Sequence, residues 1–176
     1  MSYKRLFVLL EGDDDKRFMD SVVLPRIAKT YHSIQVVKYA QMKNEKLIAY
    51  ITSIRAMEGA EYLILTDIDH EPCATRKKQK IAQDYKSAEI EKIIVVKKEI
   101  ESWYLAGLNV ENTKRLRVSP MNDFDEATKE TFDKLIPRAF INRTDFMIEL
   151  LKCYAFDRAK SKSGSFRYLC AKLGIT

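Results

Sequence analysis

Three short apolar runs, none broken by a polar residue, constrain the fold of this chain more than any other feature. They are Leu6-Phe7-Val8-Leu9-Leu10, Tyr62-Leu63-Ile64-Leu65 and Ile93-Ile94-Val95-Val96. Strands half-exposed to water alternate apolar and polar residues. Unbroken runs of this length belong to strands buried on both faces, as in parallel sheets. A further strand is expected over Ser33 to Ala40, which carries Ile34, Val36, Val37 and Tyr39. Helical spacing fills the gaps. Phe18, Met19, Val22 and Val23 fall on one side of a helix that Pro25 breaks or kinks. Leu47, Ile48, Ile51 and Ile54 mark a helix over Lys43 to Glu58, which Gly59 stops. A polar helix is expected up to about Tyr85. Strands that alternate with helices predict an α/β fold: a wound, mainly parallel sheet of four strands with flanking helices.

The signal changes after Leu108. Asn109 to Pro120 reads as loop, and Asp123 with Glu126 as a capping box opening a helix that runs to about Ile136 and ends at Pro137. Thr144 to Tyr154 is amphipathic, with Met147, Leu150, Leu151 and Tyr154 on one face. Ser161 to Ser165 is a break. Phe166, Leu169, Cys170 and Leu173 then form a short helix stopped by Gly174. The expected organisation is an α/β core over residues 1–108 and a helical C-terminal extension over 109–176 packed on it. Trp103 and Leu105 are expected in the core, on a short helix or turn.

A length of 176 residues suits one domain, and 46% hydrophobic residues supply a core. The net charge of +6 suits an anionic partner such as nucleic acid. Cys73, Cys153 and Cys170 are far apart and include no CxxC pair, so neither a disulfide framework nor a zinc ribbon is expected. No stretch has the length of a signal peptide's apolar core or the roughly 20 apolar residues of a membrane helix. A reducing cytoplasm is the expected setting.

The chemistry-bearing residues lie where the strands end. Glu11 follows the first run, Asp67 and Asp69 the run at 62–65, and Glu99 and Glu101 the run at 93–96. Residues two apart on a strand share a face, so Asp67 and Asp69 are expected side by side. Paired carboxylates repel unless a cation or proton sits between them. A hard divalent ion such as Mg²⁺ (or Mn²⁺) is the simplest occupant, and ligands of wound sheets bind at the carboxyl edge. Acids from three strand ends could hold one or two such ions. Glu99 and Glu101 share a face if the strand runs that far. Asp13 or Asp14 is expected to cap the first helix, with Gly12 permitting a tight turn. The cluster Arg76-Lys77-Lys78 lies just past the acidic strand end, where it would meet phosphates or serve as a solvated helix face. His70 would touch metal or substrate, or neither.

Glu11-Gly12 after a first strand, Asp15 three residues beyond the glycine, and Asp67-Ile68-Asp69 after a later strand resemble the TOPRIM domain, over roughly residues 4–108. That domain is the metal-binding catalytic unit of topoisomerases, primases and OLD-type nucleases. Glu99-Ile100-Glu101-Ser102-Trp103 and Ser163-Gly164-Ser165-Phe166 look more narrowly like small stand-alone relatives of OLD-type and RloB-like nucleases of phage defence. The resemblance implies a Mg²⁺-dependent nuclease or related phosphotransfer enzyme acting on nucleic-acid phosphodiesters. Glu11 would be general base or metal ligand, Asp67 and Asp69 metal ligands, Glu99 or Glu101 would complete the site, and Asp15 would be a secondary acid. OLD-type sites also use a basic residue near the phosphate, for which Lys160 and Lys162 are candidates. The chain is too short for the gate domains of a topoisomerase, its cysteines cannot build a primase's zinc ribbon, and it has no GxxxxGK[ST] loop. An ATPase, where one is needed, would come from another polypeptide. The alternatives are a catalytically inactive TOPRIM-like subunit that docks nucleic acid or an ATPase, and a phosphatase-like enzyme acting on small nucleotides.

Overall fold

The apolar runs pair into one sheet. β1 (Arg5–Leu10), β2 (Ser33–Lys38), β3 (Ala60–Asp67) and β4 (Ile93–Val96) lie in the order β2-β1-β3-β4, and every pairing is parallel. The computed structural model describes residues 3–119 and 124–176. The chain packs as two compact units, residues 1–96 and 97–176. The sequence reading divides it at 108 instead, which would leave the segment around Trp103 with the first unit.

In the first unit the strand order explains the composition. β1 and β3 are central and buried along almost their whole length, so both faces are apolar. β2 is an edge strand and only half-buried, which is why its sequence alternates. α3 (Asn44–Ala56) and α4 (Ala74–Asp84) are helices of this unit. A core cluster joins Phe7 and Leu9 of β1, Tyr62 and Ile64 of β3, Ile93 and Val95 of β4, Leu47, Ile51 and Ile54 of α3, and Ile81 of α4. Each such side chain contributes roughly 1.5–3 kcal/mol when fully buried. The opposite face carries Leu6, Val8, Leu10, Leu63, Leu65, Ile94 and Val96, all buried. Gly59, at φ 70°, ends the α3 segment in the left-handed region.

The turn after β1 differs from its sequence reading. Gly12, not Asp13 or Asp14, is the N-cap of α1 (Asp13–Phe18), and its backbone is extended at φ −139°. It therefore needs no glycine-only conformation. The capping carboxylate is Asp15, which accepts the Gly12 N–H at 2.8 Å. Asp13 pairs with Lys38 at 2.7 Å and Asp14 with Arg17 at 2.5 Å. Pro25 does not break the helix. A π-helical turn over Met19–Val23 precedes α2 (Leu24–Ile27), and the Leu24 N–H reaches back to the Met19 carbonyl. Widening the helix just before Pro25 accommodates a residue with no N–H to give.

The second unit is helical. It contains α5 (Glu101–Ala106), α6 (Val110–Leu116), α7 (Lys129–Leu135), α8 (Arg143–Lys152), α9 (Phe156–Lys162) and α10 (Gly164–Lys172). Trp103 is fully buried, as expected. It donates its indole N–H to Ser165 Oγ at 2.8 Å, and its ring lies 5.3 Å from that of Phe166. The Glu-x-Glu-x-Trp and Ser-Gly-Ser-Phe motifs thus meet in this unit. The expected loop at 109–120 contains α6, capped by the Asn109 side chain, which accepts the Asn112 N–H at 2.7 Å. Asp123 lies outside the described residues. α7 starts later than expected, with Thr128 as its cap. α9 has no counterpart in the sequence reading. Ser163 closes α9 and caps α10, which ends near Gly174 at φ 66°.

Candidate functional site

In this strand order the chain leaves β1 toward β2 on one side and returns to β3 on the other. The carboxyl edge between β1 and β3 is therefore the switch point of the sheet, where loops diverge and open a crevice. Glu11 is the residue after β1, and Asp67 is the last residue of β3. The register pairs Leu9 with Ile64, which places Glu11 level with Thr66, one residue before Asp67.

Glu11 is held firmly. Thr66 Oγ1 donates to Glu11 Oε1 at 2.6 Å, and Tyr39 Oη lies 3.1 Å from the same oxygen. Tyr39 Oη is also 3.2 Å from the Leu65 carbonyl, so its single proton is shared between two acceptors. Both hydroxyls use Oε1, and Oε2 has no hydrogen-bond partner among the described residues. Burial pushes the Tyr39 phenol far above the usual tyrosine range, and the Glu11 charge pushes it further. Tyr39 is therefore a neutral donor wherever Glu11 is charged. The sequence reading places Tyr39 in a strand and gives neither Tyr39 nor Thr66 a part in the site. The available signal was a hydroxyl residue closing an otherwise apolar run, directly before the first aspartate.

The strand geometry expected to set Asp67 and Asp69 side by side does not reach Asp69. β3 ends at Asp67, so the two-residue period no longer applies. Asp69 has φ 51°, a left-handed conformation that turns the chain out of the sheet. Its carboxylate faces α4, where Lys77 Nζ donates to Asp69 Oδ2. The Lys77 side chain is 7% exposed and that of Asp69 57%. One turn along α4, Lys80 pairs with Glu71 at 2.9 Å. The basic cluster therefore splits: Lys77 is inside, Arg76 is exposed and Lys78 is half-buried. His70 is exposed, and Asp15 is 8% exposed beneath the Gly12 turn.

Glu99 and Glu101 belong to the second unit. β4 stops at Val96, so the two glutamates do not share a strand face. Glu99 accepts the Lys129 N–H. Glu101 opens α5, is 4% exposed, and pairs with Arg143, which also pairs with Asp133 and lies over the Phe132 ring. Lys160 and Lys162 are on α9, where Lys160 reaches the Ile175 carbonyl at 3.3 Å.

Among the described residues no three His, Cys, Asp or Glu side chains are gathered closely enough to hold a metal ion. What the edge offers is narrower: Glu11 and Asp67 end adjoining strands, Glu11 in line with Leu9 and Asp67 in line with Leu65 on the other face, and Glu11 Oε2 is without a hydrogen-bond partner among the described residues. Carboxylate oxygens are the donors that Mg²⁺ or Mn²⁺ takes, one or two at a time with water and phosphate completing the shell. They do not fit a soft metal, which prefers sulfur.

No family model matches the chain, and no curated protein matches it in sequence. Solved structures do. Two structures of the C-terminal region of the Xanthomonas campestris pv. campestris OLD protein are 16% and 15% identical to it, with TM-scores of 0.42 and 0.44. They cover 97% and 98% of this chain and are covered over 94% and 92% of their own length. The C-terminal region of the Burkholderia pseudomallei OLD protein is 17% identical with a TM-score of 0.55, over 98% of both chains. At that identity the likeness is one of architecture, and the chain has an α/β fold like that of the C-terminal region of the Burkholderia pseudomallei OLD protein.

Proposed function

We propose that this chain is a nuclease-type domain that hydrolyses nucleic-acid phosphodiesters with Mg²⁺ or Mn²⁺, using Glu11, Asp67 and Asp69. The observation that carries the reading is the clamp on Glu11. A carboxylate at the switch point, fixed through one oxygen by two neutral hydroxyls and offering the other, is organised for a ligand rather than for packing. When bound, a divalent cation would supply charge for the phosphate and acidity for an attacking water. The chain's own part is to fix Glu11 through Thr66 and Tyr39, so that Oε2 accepts from a water or binds the ion. Asp67 adds a second carboxylate at the edge. Asp15 serves from behind, by setting the turn that follows Glu11. Arg76 and Lys78 of α4 are proposed to meet the phosphate backbone, which the charge of +6 favours; Lys160 and Lys162 are proposed, separately, as phosphate contacts of the second unit. Glu99, Glu101 and His70 are proposed in supporting roles. By the same resemblance the setting would be phage defence in a cytoplasm, with any ATPase supplied by another chain.

Purified protein incubated with plasmid DNA and structured RNA plus Mg²⁺ or Mn²⁺ is expected to cleave one of them, and Asp67→Ala to abolish cleavage. Inactive wild type, or unimpaired Asp67→Ala, refutes the proposal. A second reading, a non-catalytic docking subunit, is favoured by the lack of a three-ligand cluster among the described residues. It requires that calorimetry find no Mg²⁺ or Mn²⁺ affinity and that nucleic-acid binding be indifferent to Asp69→Asn.

A further inference from the structure

We infer that the second unit holds a binding site for a flat aromatic anion, a ring body that carries one carboxylate or phosphate. Nothing in it depends on the metal reading above. A cavity of about 230 Å³ opens among α5, α6, α7 and α9. Its walls are mainly apolar, built from Leu105, Leu108, Val118, Leu135 and the Phe124 ring. One of these walls follows from the end of α6. Arg117 takes the left-handed region at φ 58°, the Val118 N–H returns to the Thr113 carbonyl at 3.0 Å, and Val118 is buried. An apolar cavity of roughly 150 Å³ takes benzene, so this one has room for a second fused ring.

The charged groups at the cavity are both cations. Arg158 and Lys114 line it, and no acid does among the described residues. Arg158 is anchored through Nε, which donates to the Leu108 carbonyl. Its two terminal nitrogens have no hydrogen-bond partner among the described residues. A guanidinium held at one nitrogen and open at the other two offers a carboxylate or phosphate a pair of parallel donors. The same guanidinium lies 6.0 Å from the centre of the Phe124 ring, so an aromatic body beside it meets both a ring and a delocalised cation. Lys114 is exposed, has no ion-pair partner among the described residues, and adds a second positive charge. A cation would find only repulsion here, and a neutral ring would leave the guanidinium unmatched.

The test is a titration of the full chain with 1-naphthoate, followed by amide chemical shifts. Wild type is expected to bind one equivalent with a dissociation constant on the order of 0.1 mM. Neutral 1-naphthylmethanol is expected to bind about tenfold more weakly, because it forgoes the charge-assisted pair. Arg158→Gln should erase most of that difference. Val110 is 65% exposed and lines the cavity, so Val110→Trp adds bulk there without disturbing the core, and should weaken naphthoate at least about tenfold. Adenosine 5′-monophosphate and ribose 5-phosphate separate the two sources of such a ligand. Adenosine monophosphate shifting the same amides, with ribose phosphate silent, supports the site and assigns it to a nucleotide. Naphthoate binding without adenosine monophosphate supports it and assigns it to an aromatic carboxylate. A wild type that ignores naphthoate, or takes the alcohol equally well, overturns the inference, as does naphthoate binding unmoved by Val110→Trp. Should Arg158→Gln not fold, the wild-type ratio of acid to alcohol still decides.

Discussion

Replacing Thr66 by valine removes one hydroxyl, which donates to Glu11 and lies 3.2 Å from the Asp67 carbonyl, a weaker second acceptor. Thr66 is 2% exposed on β3 and gives Glu11 a 2.6 Å hydrogen bond. A hydrogen bond to a charged partner contributes about 1.5–3 kcal/mol. Glu11 is only half-buried, so water recovers part of the loss and the lower figure applies. The valine methyl adds about 0.8 kcal/mol of burial in the other direction. Thr66→Val is thus expected to lower unfolding free energy by about 1 kcal/mol. Its effect on metal should be larger in proportion, because Glu11 then turns about a single remaining donor. Loss of such an outer partner lowers metal affinity roughly 10–100-fold. The assays are urea unfolding followed by circular dichroism, and Mn²⁺ calorimetry. A double-mutant cycle with Glu11→Gln isolates the contact. In the Glu11→Gln background the Thr66→Val step should cost close to nothing, since a neutral acceptor gains less from the hydroxyl. An equal cost in both backgrounds, or Mn²⁺ affinity untouched by Thr66→Val, would refute the claim that Thr66 acts through Glu11.

Stability should fall steeply in alkali. Burial raises Tyr31 from 10.0 to about 12 and raises Tyr39, Tyr50, Tyr62 and Tyr85 as well. The unfolded chain therefore releases these protons first. Their contribution is complete below about pH 10 and is lost as pH climbs from there toward the folded values; phenolate absorbance that rises before unfolding would contradict this. Gly107→Ala should cost about 2–3 kcal/mol, since a β-carbon there would stand 2.2 Å from the Tyr154 ring, whose hydroxyl is 2.9 Å from the Trp103 carbonyl. The fluorescence of the single tryptophan, Trp103, reports the lowered midpoint, and an unchanged midpoint sinks the steric argument. Arg143→Ala leaves the 4%-exposed Glu101 without its guanidinium and should cost about 3 kcal/mol. Adding Glu101→Gln should restore much of that loss, and a double variant no more stable than Arg143→Ala would argue against the pairing.

The sheet was legible because its signal is physical and local. An unbroken run such as Leu6 to Leu10 has no solvated face to offer, so it needs cover on both sides. That requirement implies central strands, parallel neighbours and crossover helices together. The half-buried pattern of β2 announced an edge by the same logic. The helical unit was less legible because its elements are short and closed by caps rather than by apolar periodicity. α6 and α9 have seven residues each, too few for a repeating stripe. The Asn109 cap of α6 is the available sign, one that a loop over 109–120 absorbs.

The site divides along a different line. Sequence shows that acids occur at strand ends, since an apolar run and the residue after it are adjacent in the chain. Facing is another matter, because it depends on where the strand stops. Had β3 run two residues further, Asp67 and Asp69 would have formed the expected pair. Its end at Asp67, and the left-handed turn at Asp69, deliver the second aspartate to Lys77 instead. The partner lies eight residues away across a turn, at a helix position whose exposure no local pattern reports. Thr66 shows the converse. It reaches Glu11 across 55 residues, yet any parallel pairing of β1 with β3 in this register sets the two level. Register carries the first carboxylate to its donors, while the end of one strand sets where the chain turns Asp69 toward Lys77. Lengthening β3 is therefore the change that would test the point most directly. Replacing Asp69 by asparagine keeps the turn, since asparagine tolerates positive φ. Asp69→Val disfavours it, and should extend the strand and release Lys77. The signature would be a fall in thermal midpoint that Lys77→Met reverses; a midpoint unaffected by Lys77→Met in that background would mean the turn, and not the ion pair, holds this corner of the sheet.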